Sequence, residues 1–268
     1  MAQITRSHRL YHRAEAALMS AIEIYNKPDF KYREETFAIL SLNAWELMLK
    51  AKLLAEKGND LRVLFVYETR STKAGVVGKK RYLKRNRAGN PHTLGLGQVI
   101  GALEASACPI APEIKSNIEA LQAIRDNAIH FLNTNPLLAK QILEIGTATL
   151  CNFVELAKRW FREDLSQYSL FLMPIGFLSV PSAVAVIAAS DEEQNLVKYL
   201  DSLIRLGASD SSEFQVALGI SLSFKRGGST SPLVVSVTRD PTATKVVLSE
   251  EDIRKTYPWE YSELTRRL

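Results

Sequence analysis

Only two cysteines and four histidines occur in 268 residues. Cys108 and Cys151 stand far apart, with no His or Cys beside them at metal-ligand spacing, so the sequence contains neither a disulfide framework nor a zinc site. Long apolar runs are missing as well. The longest, Ser179 to Ala189, is broken by Pro181 and too short to span a bilayer, and the N-terminus lacks the pattern of a secretory leader. Those absences point to the cytoplasm and away from a membrane. No cluster of carboxylates suggests a bound metal and no glycine-rich loop of the nucleotide-hydrolase type is present, so no cofactor is expected.

What is there is an ordinary globular composition, 46% hydrophobic and 24% charged, enough for one large core or two modest ones. The net charge of +5 is modest but unevenly spread. Lys73, Lys79, Lys80, Arg81, Lys84, Arg85 and Arg87 crowd one segment, punctuated by Gly75, Gly78 and Gly89. Such a basic loop suits an electrostatic grip on a polyanion, and the same pattern also fits a solvated loop.

Helical periodicity dominates residues 1–165 and predicts an antiparallel bundle of four main helices with a basic insertion near 62–95. The first helix spans Thr5 to Asn26, with Leu10, Ala14, Ala17, Ala21 and Ile24 on one side, and breaks at Pro28. The second, Tyr32 to Lys57, stops at Gly58. Arg62 to Tyr67 reads as a short strand, and a shorter helix covers Leu96 to Ala105. Two long helices follow, Pro112 to Leu132 and one opening at Asn135-Pro136 and running to Phe161. Over 166–248 the period changes: alternation from Phe214 to Phe224, a turn at Gly227-Gly228 and a partner at Leu233 to Thr238 predict a hairpin. With a helix near Asp191 to Leu206, this reads as a small α+β domain. Residues 249–268 read as short terminal helices, or as part of a helix-turn-helix. The fold class is mainly α.

The helix from Pro112 contains Ala123-Ile124-Arg125-Asp126-Asn127-Ala128-Ile129-His130. Arginine and histidine together suit chemistry on a phosphate, since a guanidinium holds two phosphate oxygens while an imidazole takes and gives protons near neutrality. Arg6 with His12, and Arg85 or Arg87 with His92, share the loose spacing, but they fall on a basic helix near the N-terminus and in a Gly-Pro loop. Ile114, Ile118, Leu121, Ala128 and Leu132 trace an apolar stripe with Arg125 in the vacancy, where it needs a partner or a ligand. On the second helix Asn43, Glu46 and Lys50 form a polar line, which places Glu46 near Arg125 or simply marks a solvent face. Asp126 lies four residues before His130, able to orient the imidazole. Arg125 and His130 sit about 140° apart around the helix, so a twofold axis beside it would gather two of each.

The Arg-Asp-x-x-x-His run late in a helical bundle, preceded by Trp45-Glu46-Leu47-Met48-Leu49-Lys50-Ala51, resembles the HEPN superfamily, the higher eukaryotic and prokaryotic nucleotide-binding domains. The resemblance covers Arg6 to Arg162 and is closest to a bacterial family of unknown function within that superfamily. It implies metal-independent cleavage of RNA by a homodimer, the ribose 2′-hydroxyl attacking its own phosphate. His130 would be general base or acid, Arg125 would hold the phosphate, Asp126 would orient His130 and Glu46 would position Arg125. Lys79, Lys80, Arg81, Lys84, Arg85 and Arg87 would contact the RNA backbone. A defence or toxin setting with an antitoxin or similar partner belongs to the same expectation. The alternative is a non-catalytic nucleic-acid- or nucleotide-binding module, acting as regulator or partner subunit.

Overall fold

The computed structural model describes residues 4–27, 30–71, 77–106, 108–130, 136–168, 170, 172, 191–207, 212–222, 233–237 and 246–248. The protein is mainly α-helical, and two compact units divide it, Met1–Ala217 and Leu218–Leu268. Among the described residues no helix is long and apolar enough to cross a membrane.

Helix α1 (Arg6–Asn26) begins where the Thr5 hydroxyl accepts a hydrogen bond from the His8 amide. Its buried stripe is Tyr11, Ala14, Leu18, Ala21, Ile22 and Tyr25, rotated from the expected Leu10–Ile24 line because two tyrosines serve as core residues. Both phenols are pushed well above their ordinary pKa, chiefly by burial. Helix α2 (Arg33–Glu56) is apolar around most of its circumference because it occupies the centre: α1, α3, α4 and α5 all pack against it. It ends at Gly58 and Asn59, both at positive φ, where the Asn59 amide reaches back to the Leu54 carbonyl at 2.8 Å. The Asn59 side chain then accepts from the Ser7 amide at 2.8 Å, tying the end of α2 to the start of α1 and making the pair antiparallel.

Residues 61–95 hold more regular structure than a loop. A 3-10 turn at Leu61–Leu64 replaces the expected strand, and the basic segment forms an antiparallel hairpin of β1 (Tyr67–Ser71) and β2 (Val77–Leu83). Helix α3 (Leu96–Glu104) leads to α4 (Pro112–His130) and α5 (Pro136–Phe161), close to the expected limits. Aromatic contacts knit the centre. Tyr11 stacks on Phe161 at 4.5 Å, and Trp45 meets Phe153 edge-on at 5.5 Å.

The first unit does not stop near 165. Helix α6 (Asp191–Leu206) packs on α4 and α5, and buried Gln141 donates to the Asp201 carboxylate at 2.7 Å. Phe214 and Val216, expected in a strand of a separate domain, are buried in this unit. Among the described residues of that strand, Ile220–Leu222 form β3, in the second unit, pairing with β4 (Leu233–Val237), which pairs with β5 (Val246–Leu248). Residues 249–268, with their expected terminal helices or helix-turn-helix, lie outside the described residues.

Candidate functional site

Arg125 reaches the surface because the apolar stripe of α4 does not need its position. Ile114, Ile118, Leu121 and Ile124 form the buried row, with Ile124 at 0% exposure taking the place the sequence reading left to Arg125. The arginine stands at the edge of that row, half-buried. One turn before it Gln122 shares its face. Both side chains line a cleft of about 560 Å³ whose other walls are Ile39, Leu42, Asn43 and Glu46 from α2 and Gly95 to Gln98 from the start of α3.

Arg125 and Glu46 thus line one hollow, as the polar line on α2 suggested, but each has taken a different charge partner. Glu46 accepts from Lys50 Nζ at 2.5 Å along its own helix. Arg125 directs Nε and Nη2 to the same Asp126 oxygen, at 2.9 and 2.7 Å. Lys50 is a buried cation, not a solvent-facing one, and its ammonium also donates to the Thr93 hydroxyl at 3.2 Å. The base of the hairpin is thereby fastened to the helix that carries Glu46.

Asp126, expected to orient His130, accepts from the guanidinium of its neighbour. It also borders a second hollow of about 440 Å³ between α4 and α6, with Glu192, Asn195 and Tyr199. The helical backbone continues through His130, which preserves its phase relative to Arg125, while the side chain of His130 lies outside the described residues.

A feature of the cleft that the sequence reading missed is the first turn of α3. Its N-cap is Gly95, which has no side chain to cap the turn, and a Cβ at Gly95 or Gly97 would meet nothing within 4 Å. The Gln98 side chain accepts from the Gly95 amide at 3.0 Å. The helix N-terminus therefore opens towards solvent on the cleft wall, where its amides and dipole favour an anion. The signal was present as Gly95-Leu96-Gly97-Gln98, read only as the start of a short helix. Among the lining residues Arg125 is the one cation and Glu46 the one carboxylate, while Asn43, Gln98 and Gln122 add neutral donors and acceptors beside the first turn of α3. Among the described residues, no group of three or more His, Cys, Asp and Glu side chains converges as metal ligands do.

Lys79, Lys80 and Arg81 are exposed on β2, and Lys84, Arg85 and Arg87 are exposed just beyond it. The segment after β2 is held in place. Asn86 Oδ1 accepts from the amides of Ala88 and Asn90 at 3.0 Å, Gly89 takes a φ of +80°, and Arg85 Nη1 donates to the Gly89 carbonyl at 2.6 Å. No curated protein and no solved structure matches the chain. Residues 9–206 match the model of a family described as a domain of unknown function, DUF3644, and the chain belongs to that family.

Proposed function

We propose that the protein is a metal-independent endoribonuclease of the HEPN type, acting as a homodimer. The observation that carries this reading is Arg125 on a solvent-open cleft that it shares with an uncapped helix N-terminus, five residues before the histidine that ends the same helix. A phosphodiester seated there meets the guanidinium and the α3 amides on its non-bridging oxygens, where negative charge grows in the transition state. The 2′-hydroxyl attacks phosphorus and the bond to the 5′-oxygen breaks, leaving a 2′,3′-cyclic phosphate and a free 5′-hydroxyl. His130 takes the proton from the attacking hydroxyl or supplies one to the departing oxygen, and in a homodimer the partner's copy can take the other duty. Lys79, Lys80, Arg81, Lys84, Arg85 and Arg87 hold the flanking backbone, and Glu46 sets the electrostatic limit of the phosphate seat. An antitoxin or a defence-system partner fits a nuclease that must be kept silent.

The experiment is cleavage of a structured RNA in EDTA by wild type, Arg125→Ala and His130→Ala, followed by gel and by end-group analysis. Each substitution is expected to lower the rate by about 10²- to 10⁴-fold. Mixing the two inactive variants is expected to recover part of the activity through heterodimers. Equal rates in all three proteins overturn the reading, and salt-sensitive RNA binding with no cleavage by wild type assigns the cleft to binding alone.

A further inference from the structure

Residues 70–103 contain eight lysines and arginines and no aspartate or glutamate. The chain as a whole is only +5, so everything outside this segment is net negative. The concentration of charge falls on the hairpin and the turn that follows, and aromatic rings are interleaved with it. In the β1–β2 register Tyr67 pairs with Leu83 and Thr69 with Arg81, which puts Tyr67 and Arg81 diagonally on one face. The Arg81 guanidinium lies over the Tyr67 ring at 5.3 Å, and Tyr67 remains 37% exposed. On the opposite face Lys80 sits 5.4 Å from the centre of the Tyr82 ring.

This ribbon is anchored at its base. Lys84 donates to Val66 at 2.9 Å, Val66 to His92 at 2.9 Å and His92 to Lys84 at 2.8 Å, a closed ring of backbone bonds. The Lys50 to Thr93 bond fixes the same base to α2. A platform held in this way loses little freedom when a ligand settles on it.

We propose that the Tyr67–Arg81 face is a stacking platform for the bases of single-stranded RNA, with Lys79, Lys84 and Arg87 on the phosphates. A guanidinium over a phenol ring presents two flat, polarisable surfaces in layers, and unpaired bases offer flat faces to stack on them. Bases inside a duplex are already stacked on each other, so the platform selects single strands, whereas lysines alone would grip any polyanion. An anionic lipid head group or an acidic peptide satisfies the cations and leaves the aromatic layer idle. The choice of RNA over DNA rests on the ribonuclease reading above.

The test uses the full chain in EDTA and a fluorescent 2′-O-methyl oligouridine, which lacks the attacking hydroxyl and so cannot be cleaved. Anisotropy titrations compare it with an RNA duplex, single-stranded DNA and phosphatidylserine vesicles. Tyr67→Leu is expected to weaken single-strand binding about tenfold, within the range of one lost base stack, with duplex binding unchanged. Tyr67→Trp is expected to strengthen it, a gain that misfolding cannot produce. Lys79→Gln and Lys84→Gln are expected to weaken both forms of RNA and to flatten the salt dependence by about one contact each. Equal loss for duplex and single strand in Tyr67→Leu, no gain in Tyr67→Trp, or tighter binding to the vesicles overturns the platform. Normal binding by the Tyr67 variants with cleavage lost in Arg125→Ala removes the platform and keeps the nuclease; binding lost in Tyr67→Leu with no cleavage by wild type does the reverse.

Discussion

Neighbouring residues on a helix project about 100° apart, so an arginine closes on the carboxylate beside it only by laying its stem along the helix surface. Arg125 does so, and both of its nitrogens share one oxygen of Asp126 rather than meeting two. The pair is open to water, with side chains 36% and 62% exposed, and exposed pairs of this sort contribute at most about 1 kcal/mol. A phosphate held on two oxygens offers the guanidinium more. On the proposed ribonuclease reading, Asp126 holds the place of the phosphate and would give way to RNA. Asp126→Asn is expected to lower the KM for RNA by up to about fivefold, the equivalent of that pair, with kcat unchanged. If Asp126 instead orients His130, as the Asp-x-x-x-His spacing suggested, kcat falls and KM stays, and initial rates over a range of RNA concentrations separate the two. Spacing correctly picked out Asn43, Glu46 and Lys50 as one polar line, yet it could not show that Lys50 is buried. What covers Lys50 includes Thr93, far away in the chain, and periodicity within one helix holds no information about that.

At the scale of elements, the helices were legible because their ends are written in residues with local effects. Gly58, Pro112 and Pro136 each stop or start a helix by backbone geometry alone, and the observed limits fall within a few residues of the expected ones. The hairpin was not legible. Its strands alternate charge with charge, not apolar with polar, so the period-2 signal of a half-buried strand is missing. Backbone bonds to Val66 and His92 define it instead. The approach of α5 to α2 was equally hidden, because it depends on what faces Gly146. A Cβ there would lie 2.8 Å from Phe37 Cε1 and 2.9 Å from Leu172 Cδ1. Phe37 is fully buried and packed edge-on against Tyr25 at 5.3 Å, so it has little room to retreat. Gly146→Ala gains about 1 kcal/mol of helix propensity and meets an overpacking cost of about 1–3 kcal/mol. The steric term wins at contacts this short, and thermal unfolding is expected to come a few degrees lower than wild type. Adding Phe37→Leu should relieve the closer of the two contacts and recover part of the loss, and a double-mutant cycle measures that coupling.

For the whole molecule, the decisive question is where the helical unit closes. The uninterrupted alternation from Phe214 to Phe224 suggested one strand, but alternation marks a residue as half-buried without saying against what. The segment before Ala217 packs on helices. Asn117, fully buried on α4, donates to the Ile145 carbonyl at 3.1 Å and the Val216 carbonyl at 2.8 Å, while its oxygen accepts from Thr149 at 2.7 Å. Asn152 on α5 meets Gln215 twice, donating to its carbonyl at 2.7 Å and accepting from its amide at 3.1 Å, the double contact a neighbouring strand would make. Cutting the chain after Leu165 would remove the partners of Gln141 and Asn152 and one of those of Asn117, at about 0.5–1.5 kcal/mol for each hydrogen bond lost. It would also remove Leu200, Leu203, Phe214 and Val216, whose burial contributes about 1.5–3 kcal/mol apiece. Together these losses reach the roughly 5–15 kcal/mol that holds a domain folded. A chain ending at Ala217 keeps all of them. It is expected to unfold cooperatively within a few degrees of the full-length protein by circular dichroism, whereas one ending at Leu165 is expected to aggregate or melt without a sharp transition. A sharp, unshifted transition in the shorter chain would show that α6 and residues 214–216 are dispensable to the bundle, and would restore the boundary near 165.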